Sequence, residues 1–118
     1  MGSETGARGR DAELLARQHL LAQGLKLLQC NYHSRHGEID LIMQDRDSVV
    51  FVEVRYRRQA RFGSAAESVD RRKQSRLIAC AQHYLQTHPH SASLPCRFDV
   101  VTINGSDRLD WIRNAFST

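Results

Sequence analysis

Apolar residues along this chain recur with two periods, and the switch between them divides it into elements. Residues 1–8 are small and polar and are expected to form a flexible tail. From Asp11 to Gln23, Leu14, Leu15, Leu20 and Leu21 stand among alanines and charged residues, a helical spacing that should end at Gly24 in a C′ position. Leu25 to Tyr32 reads as a strand and His33 to Gly37 as a turn. Glu38 to Gln44 and Val49 to Tyr56 are two β-rich runs separated by Asp45-Arg46-Asp47-Ser48, the pattern of a hairpin. With Arg46-Asp47 as its loop, Ile39 faces Val54, Leu41 faces Val52 and Met43 faces Val50, which makes one face wholly apolar.

The other face of that hairpin pairs Ile42 with Phe51 and then Asp40 with Glu53. Like charges directly opposite one another destabilise a sheet, and apolar neighbours make the penalty larger. A cation is therefore expected between them. Beyond the hairpin, Arg57 to Glu67 is a basic loop, Asp70 to Gln86 a second helix stopped before Pro89, residues 87–95 a polar loop, and Cys96 to Asn104 a strand. Arg108 to Phe116 is left as a tail packed down by Trp111, Ile112 and Phe116. The order α-β-β-β-α-β, with apolar residues on both hairpin faces, predicts an α/β domain over residues 9–118. Its mixed sheet should be flanked by helices on both faces, with the last strand parallel to the third.

Length and composition narrow the chemistry. A chain of 118 residues forms one domain without staples. Cys30, Cys80 and Cys96 are odd in number and widely spaced, which suggests neither a disulfide framework nor a zinc site and points to a reducing, cytoplasmic setting. No apolar stretch reaches the length of a membrane span. The formal charge is +4, and 15 of the 17 cations are arginine, Lys26 and Lys73 being the exceptions. Arginine matches phosphate oxygens with a planar fork, so the composition leans toward a phosphate-bearing polymer. Arg57, Arg58 and Arg61 in the loop, with Arg71, Arg72 and Arg76 at the start of the second helix, are the candidate nucleic-acid contacts. His83, His88 and His90 lack the partners of a metal site, and Asp99 in the last strand reads as structural.

Phosphodiester hydrolysis uses a divalent ion that polarises the phosphate and activates water. Mg²⁺, or Mn²⁺ in its place, takes one or two carboxylates besides waters and substrate oxygens. Asp40 and Glu53 supply that pair, the carbonyl of Val54 is a further candidate ligand, and Arg55 projects from the face that carries Glu53.

Gly37-Glu38-Ile39-Asp40, with Glu53-Val54-Arg55 thirteen positions on, resembles the PD-(D/E)XK nuclease signature. With GEIDLI, VFVEVRYR, RKQSRL and RFDVV, the stretch from about residue 9 to 116 more closely resembles the bacterial YraN family, proteins similar to archaeal Holliday junction resolvases. The resemblance implies a restriction-endonuclease-like fold and a metal-dependent endonuclease acting on branched or structured DNA, with a homodimer as one way to cut two strands. It places Asp40, Glu53 and Arg55 on the acidic, acidic and basic motif positions and Glu13 on the first-helix acid of the resolvases. Two positions depart from the pattern. Ile39 stands where proline is common, and Arg55 replaces the usual lysine; an arginine stays charged and cannot act as a general base. Lys73, near the start of the second helix and on its core-facing stripe, is a candidate to supply the missing ammonium. The competing expectation is a non-catalytic nucleic-acid-binding module on a nuclease-like fold.

Overall fold

A five-stranded mixed sheet with strands in sequence order forms the centre of the molecule. The computed structural model describes residues 2–57 and 69–117, with side chains from Arg10 onward. Its elements are α1 (Gly2–Ala22), β1 (Lys26–Ser34), β2 (Gly37–Asp45), β3 (Ser48–Arg57), α2 (Arg71–Thr87), a short α3 (Pro89–Ala92), β4 (Cys96–Asn104) and β5 (Leu109–Phe116). β1, β2 and β3 are antiparallel neighbours, β4 runs parallel to β3 as expected, and β5 returns antiparallel on the far edge. Among the described residues no helix is long and apolar enough to cross a membrane.

Gly24 ends the first helix as its position implied. With φ at 98°, it donates its amide to Leu21 O, while the Leu25 amide reaches back to Leu20 O at 3.1 Å. This pair of bonds is a Schellman closure, and Leu20 and Leu25 share one core cluster, the apolar contact that accompanies it. Leu25 therefore closes the helix instead of opening β1. At the other end α1 begins at Gly2, so the segment expected as a tail is continuous with the helix backbone; once a docked turn exists, each added residue gains a hydrogen bond without a new nucleation cost.

Two apolar layers sandwich the sheet. Ala12, Ala16 and Leu20 of α1 lie over Leu41, Met43, Val50, Val52, Val101 and Ile103. On the opposite face Leu77, Cys80, Ala81 and Tyr84 of α2 lie over Ile42, Val49, Phe51, Phe98 and Val100. Of the leucines that announced α1 only Leu20 is core: Leu14, Leu15 and Leu21 are 43%, 37% and 45% exposed, whereas Ala12 and Ala16 are buried with Leu20. Small side chains let the helix axis approach the sheet closely.

The hairpin has the expected register from Asp45↔Ser48 to Leu41↔Val52, and there the paired ladder stops. The expected pair Ile39–Val54 is absent from it. Ile39 instead joins Tyr32 in the cluster beneath α2, although Leu41, two residues on, faces α1. Opposite this crossover the edge strand carries Asn31 with φ at 52°, a left-handed conformation that asparagine tolerates better than most residues. The change of face at Asp40 turns out to position the candidate site.

The segment expected as an indefinite tail is strand β5, so the order is α-β-β-β-α-α-β-β. Its anchor is Asp99, fully buried in β4. That carboxylate accepts from Arg97 Nε at 3.0 Å, Trp111 Nε1 at 2.9 Å and the Asn114 amide at 2.9 Å, where the β4–β5 register shifts. Arg113 covers the Trp111 ring at 4.1 Å, and His19 of α1 meets it edge-on. Asp99→Ala leaves Arg97 with Asp45 alone and strands the Trp111 and Asn114 donors. A loss of about 3–5 kcal/mol is expected, the usual cost of breaking a buried ion pair, read as a lowered urea midpoint by Trp111 fluorescence. An unchanged midpoint would show that β5 is held by other contacts.

Candidate functional site

Where the β2–β3 ladder ends, the Asp40 side chain occupies the gap. Its Oδ2 accepts the Val54 amide at 2.8 Å, so an amide on the β2 side of β3 pairs with a side chain in place of a backbone carbonyl. This bond aims the carboxylate along the sheet at the adjoining Glu53, which is 5% exposed. From the α1 side Glu13 continues the buried stripe of Ala16 and Leu20 and hydrogen-bonds Asp40. Three carboxylates from α1, β2 and β3 thus meet at one end of the hairpin.

Cations approach from the α2 face. Lys73 Nζ lies 3.5 Å and Arg55 Nη1 3.6 Å from the same oxygen, Glu53 Oε2. Lys73 reaches it because Asp70 caps the helix, its Oδ1 accepting the Lys73 amide at 2.8 Å, which fixes where the first turn begins. Neither cation contacts Asp40 among the bonds and ion pairs described above. Burial first, then the charge of Glu53, pushes the Asp40 carboxyl up to about 8; Glu13 adds to the rise and the Val54 amide opposes it. Glu13 is also raised, by burial and then by Glu38. Among the described residues no three His, Cys, Asp or Glu side chains converge as a ready-made metal shell.

All five residues expected to carry the chemistry, Glu13, Asp40, Glu53, Arg55 and Lys73, are neighbours in space. Val54 lies between Glu53 and Arg55 with its amide committed to Asp40. Arg71, Arg72 and Arg76 are exposed on the opening turns of α2, and Arg57 is partly buried at the end of β3. Arg58 and Arg61 lie outside the described residues. Asn31 was not anticipated from the sequence. In its hydrogen-bonding orientation its amide donates to Glu13 Oε1 at 2.9 Å and to Glu38 Oε2 at 3.1 Å, joining the two acids behind Asp40. Pairing β1 with β2 by residue number would have set it opposite Asp40, but its left-handed backbone carried no sequence signal. Glu38 also stands 3.7 Å from His33 Nε2.

An open concavity of about 680 Å³ lies at the turn end of the hairpin, lined by Asp45, Arg46, Asp47 and Arg97. Arg97 there is already bound to Asp45 and Asp99. The carboxylates are at the other end.

The raised Asp40 carboxyl has a consequence for stability. Between the unfolded value near 3.9 and the folded value of about 8, the folded chain holds a proton that the unfolded chain has released. Stability must therefore fall as pH rises through that window. In EDTA, the melting temperature is expected to decline from pH 5 to pH 8, and Asp40→Asn, which keeps an acceptor for the Val54 amide, should flatten the decline. Parallel slopes in the two proteins would place the strain elsewhere.

Residues 12–103 match the family described as Uncharacterised protein family UPF0102. A UPF0102 protein of Nitrosococcus oceani is 57% identical over 112 residues, covering 92% of this chain and 90% of its own. One of Stutzerimonas stutzeri is 56% identical over 119 residues, covering 98% and 99%, and one of Saccharophagus degradans is 55% identical over 109 residues, covering 92% of each. The matched span takes in the whole carboxylate cluster, with Lys73 and Arg55, and the chain belongs to the UPF0102 (YraN) family.

Proposed function

We propose that this protein is a divalent-metal-dependent endonuclease of the restriction-endonuclease-like PD-(D/E)XK type that hydrolyses phosphodiester bonds in branched or structured DNA. The observation that carries the reading is the meeting of Glu13, Asp40 and Glu53 in a partly buried gap, with Lys73 and Arg55 on one side of it. The donor set is chemically suited to a hard cation, because it offers oxygen ligands only and because a positive ion would relieve the crowding of acids that raises Asp40, displacing its proton. Asp40 and Glu53 would hold Mg²⁺ or Mn²⁺, with the Val54 carbonyl as a further ligand, and such ions tolerate a shell completed by water and phosphate. A bound ion would polarise the phosphate and activate water.

The chain's own groups divide the remaining work. Glu13, held by Asn31 and touching Asp40, orients water at the carboxylates. Arg55 cannot take a proton, so it serves through fixed positive charge beside the phosphate. Lys73 reaches the same Glu53 oxygen from a different element and supplies an ammonium where the signature has its lysine. Arg71, Arg72 and Arg76, with the Arg57, Arg58 and Arg61 run, steer the polyanion toward the gap. Cutting both strands of a junction calls for two such sites, which a two-fold pair of chains would present.

A second reading has a specific observation in its favour. Both cations already pair with Glu53, an arrangement that also suits a stable, non-cutting module that binds nucleic acid with a nuclease-like fold.

Cleavage and metal binding separate the two. With Mg²⁺ or Mn²⁺ the wild type is expected to cut four-way-junction DNA, and Asp40→Asn to abolish both calorimetric Mn²⁺ binding and cutting while remaining folded. Arg55→Lys should retain most activity. Arg55→Ala should lose about 2–4 kcal/mol of transition-state stabilisation, roughly 30- to 1000-fold in rate, with little change in Mn²⁺ affinity. Equal Mn²⁺ binding by wild type and Asp40→Asn would refute the metal assignment. Tight binding of branched, flapped, single-stranded and duplex DNA without cutting any of them would establish the binding module instead.

A further inference from the structure

We infer that α2 carries a second DNA contact, a groove that tracks the strand backbone from the carboxylate site along the helix to Gln86, with the β1–β2 turn as its other wall. The inference rests on the DNA reading above and extends it to residues outside the site. Arg72, Arg76, Ala79, His83 and Gln86 are spaced four, three, four and three apart, so they share one stripe of α2. That stripe lies beside, and apart from, the buried stripe of Leu77, Cys80, Ala81 and Tyr84. Facing it, Arg35 and His36 of the turn complete a concavity of about 440 Å³ whose other walls are Ala79, Gln82, His83 and Gln86.

The two walls are fixed to each other. Cys80 Sγ lies 3.3 Å from Ser34 Oγ and 3.5 Å from Gly37 O, on either side of the turn. Gly37, with φ at 143°, lets the turn pass close to Arg76, whose Cβ stands 3.8 Å from where a side chain would begin. The Tyr32 hydroxyl, buried under α2, holds His83 Nδ1 at 2.5 Å. This sets the imidazole from behind and leaves Nε2 to the groove. The small Ala79 keeps the space between the walls open.

The lining chemistry selects the ligand. A guanidinium, two imidazoles and two primary amides line the concavity, with no carboxylate among them. That set donates hydrogen bonds to phosphate and sugar oxygens, as backbone-positioning contacts do. Arg72 adjoins Lys73, which touches Glu53, so the groove starts beside the proposed reacting phosphate. From Arg72 to Gln86 the helix rises about 21 Å at 1.5 Å per residue, enough to follow several successive phosphates of one strand. The substrate must therefore continue for several nucleotides on one side of the cut.

Fluorescence anisotropy with a labelled four-way junction, in EDTA over a salt series, tests the groove. Ala79→Glu places a carboxylate between the walls at a position that favours helix, and is expected to weaken binding at least tenfold. Arg35→Ala should reduce the slope of log K against log salt by about 0.9, one phosphate contact. Arg113→Ala, which removes the same charge beside Trp111, should leave the slope unchanged. If Ala79→Glu proves unfolded by circular dichroism, Gln82→Glu on the exposed side of the helix delivers the charge without touching the packing. Wild-type binding matched by a folded groove variant would overturn the groove and leave the DNA reading standing, as would an equal slope change in Arg113→Ala. A wild type that binds no DNA at any salt would overturn both.

Discussion

The bond from the Val54 amide to Asp40 is the contact on which the rest of the site depends. A β-ladder continued for two more residues would have satisfied that amide with a carbonyl and sent Asp40 out from the sheet beside Glu53. Ending the ladder at Leu41↔Val52 instead leaves a gap at the sheet end, and the carboxylate fills it. Glu13 arrives over one face and Lys73 over the other because their helices pack on opposite faces; only at a gap can residues from both meet. An intact sheet would have kept them a sheet's thickness apart.

This arrangement concentrates negative charge and then under-compensates it. Glu53 is nearly buried yet lies beside two cations, whereas Asp40 carries the burden of its acidic neighbours. Buried charge of one sign without a partner is among the costlier features a small domain can hold. Across β3, the other side of the sheet shows the contrasting solution. Asp99 is fully buried, but Arg97, Trp111 and a backbone amide all donate to it, and it serves as the pin of β5. Both aspartates sit on inner strands opposite an asparagine in left-handed conformation on an edge strand. The acid with a full set of donors is structural; the acid crowded by other acids is the one on which the proposed cation site is centred.

Much of this was legible in the sequence where local rules dominate. The hairpin register followed from apolar pairs, the end of α1 from Gly24, and the meeting of Asp40 with Glu53 from counting across the turn. Lys73 came from helical spacing, and Glu13 from the family resemblance. What escaped was set by tertiary contacts. The face change at Ile39 cannot be read from alternation, because alternation is the rule it breaks. β5 has no run of β-branched residues, and its strand state is imposed by the buried Asp99. The buried face of α1 was not resolved by its leucines, which lie on more than one side; close packing on the sheet selects Ala12, Ala16 and Leu20.

The substitution of arginine at position 55 reads differently once Lys73 is in place. In a strand-borne acid-x-base pattern, the strand alone delivers both the carboxylate and the ammonium. Here the strand delivers Glu53 and a permanent cation, and the titratable ammonium comes from the first turn of α2, fixed by the Asp70 cap. Its placement at Glu53 consequently depends on the docking of that helix. The same docking positions Arg72 and Arg76 beside the gap and ties α2 to the β1–β2 turn through Cys80. Charge at the carboxylates and the basic approach to them are therefore coupled through one rigid helix, so displacing its first turn would disturb both together.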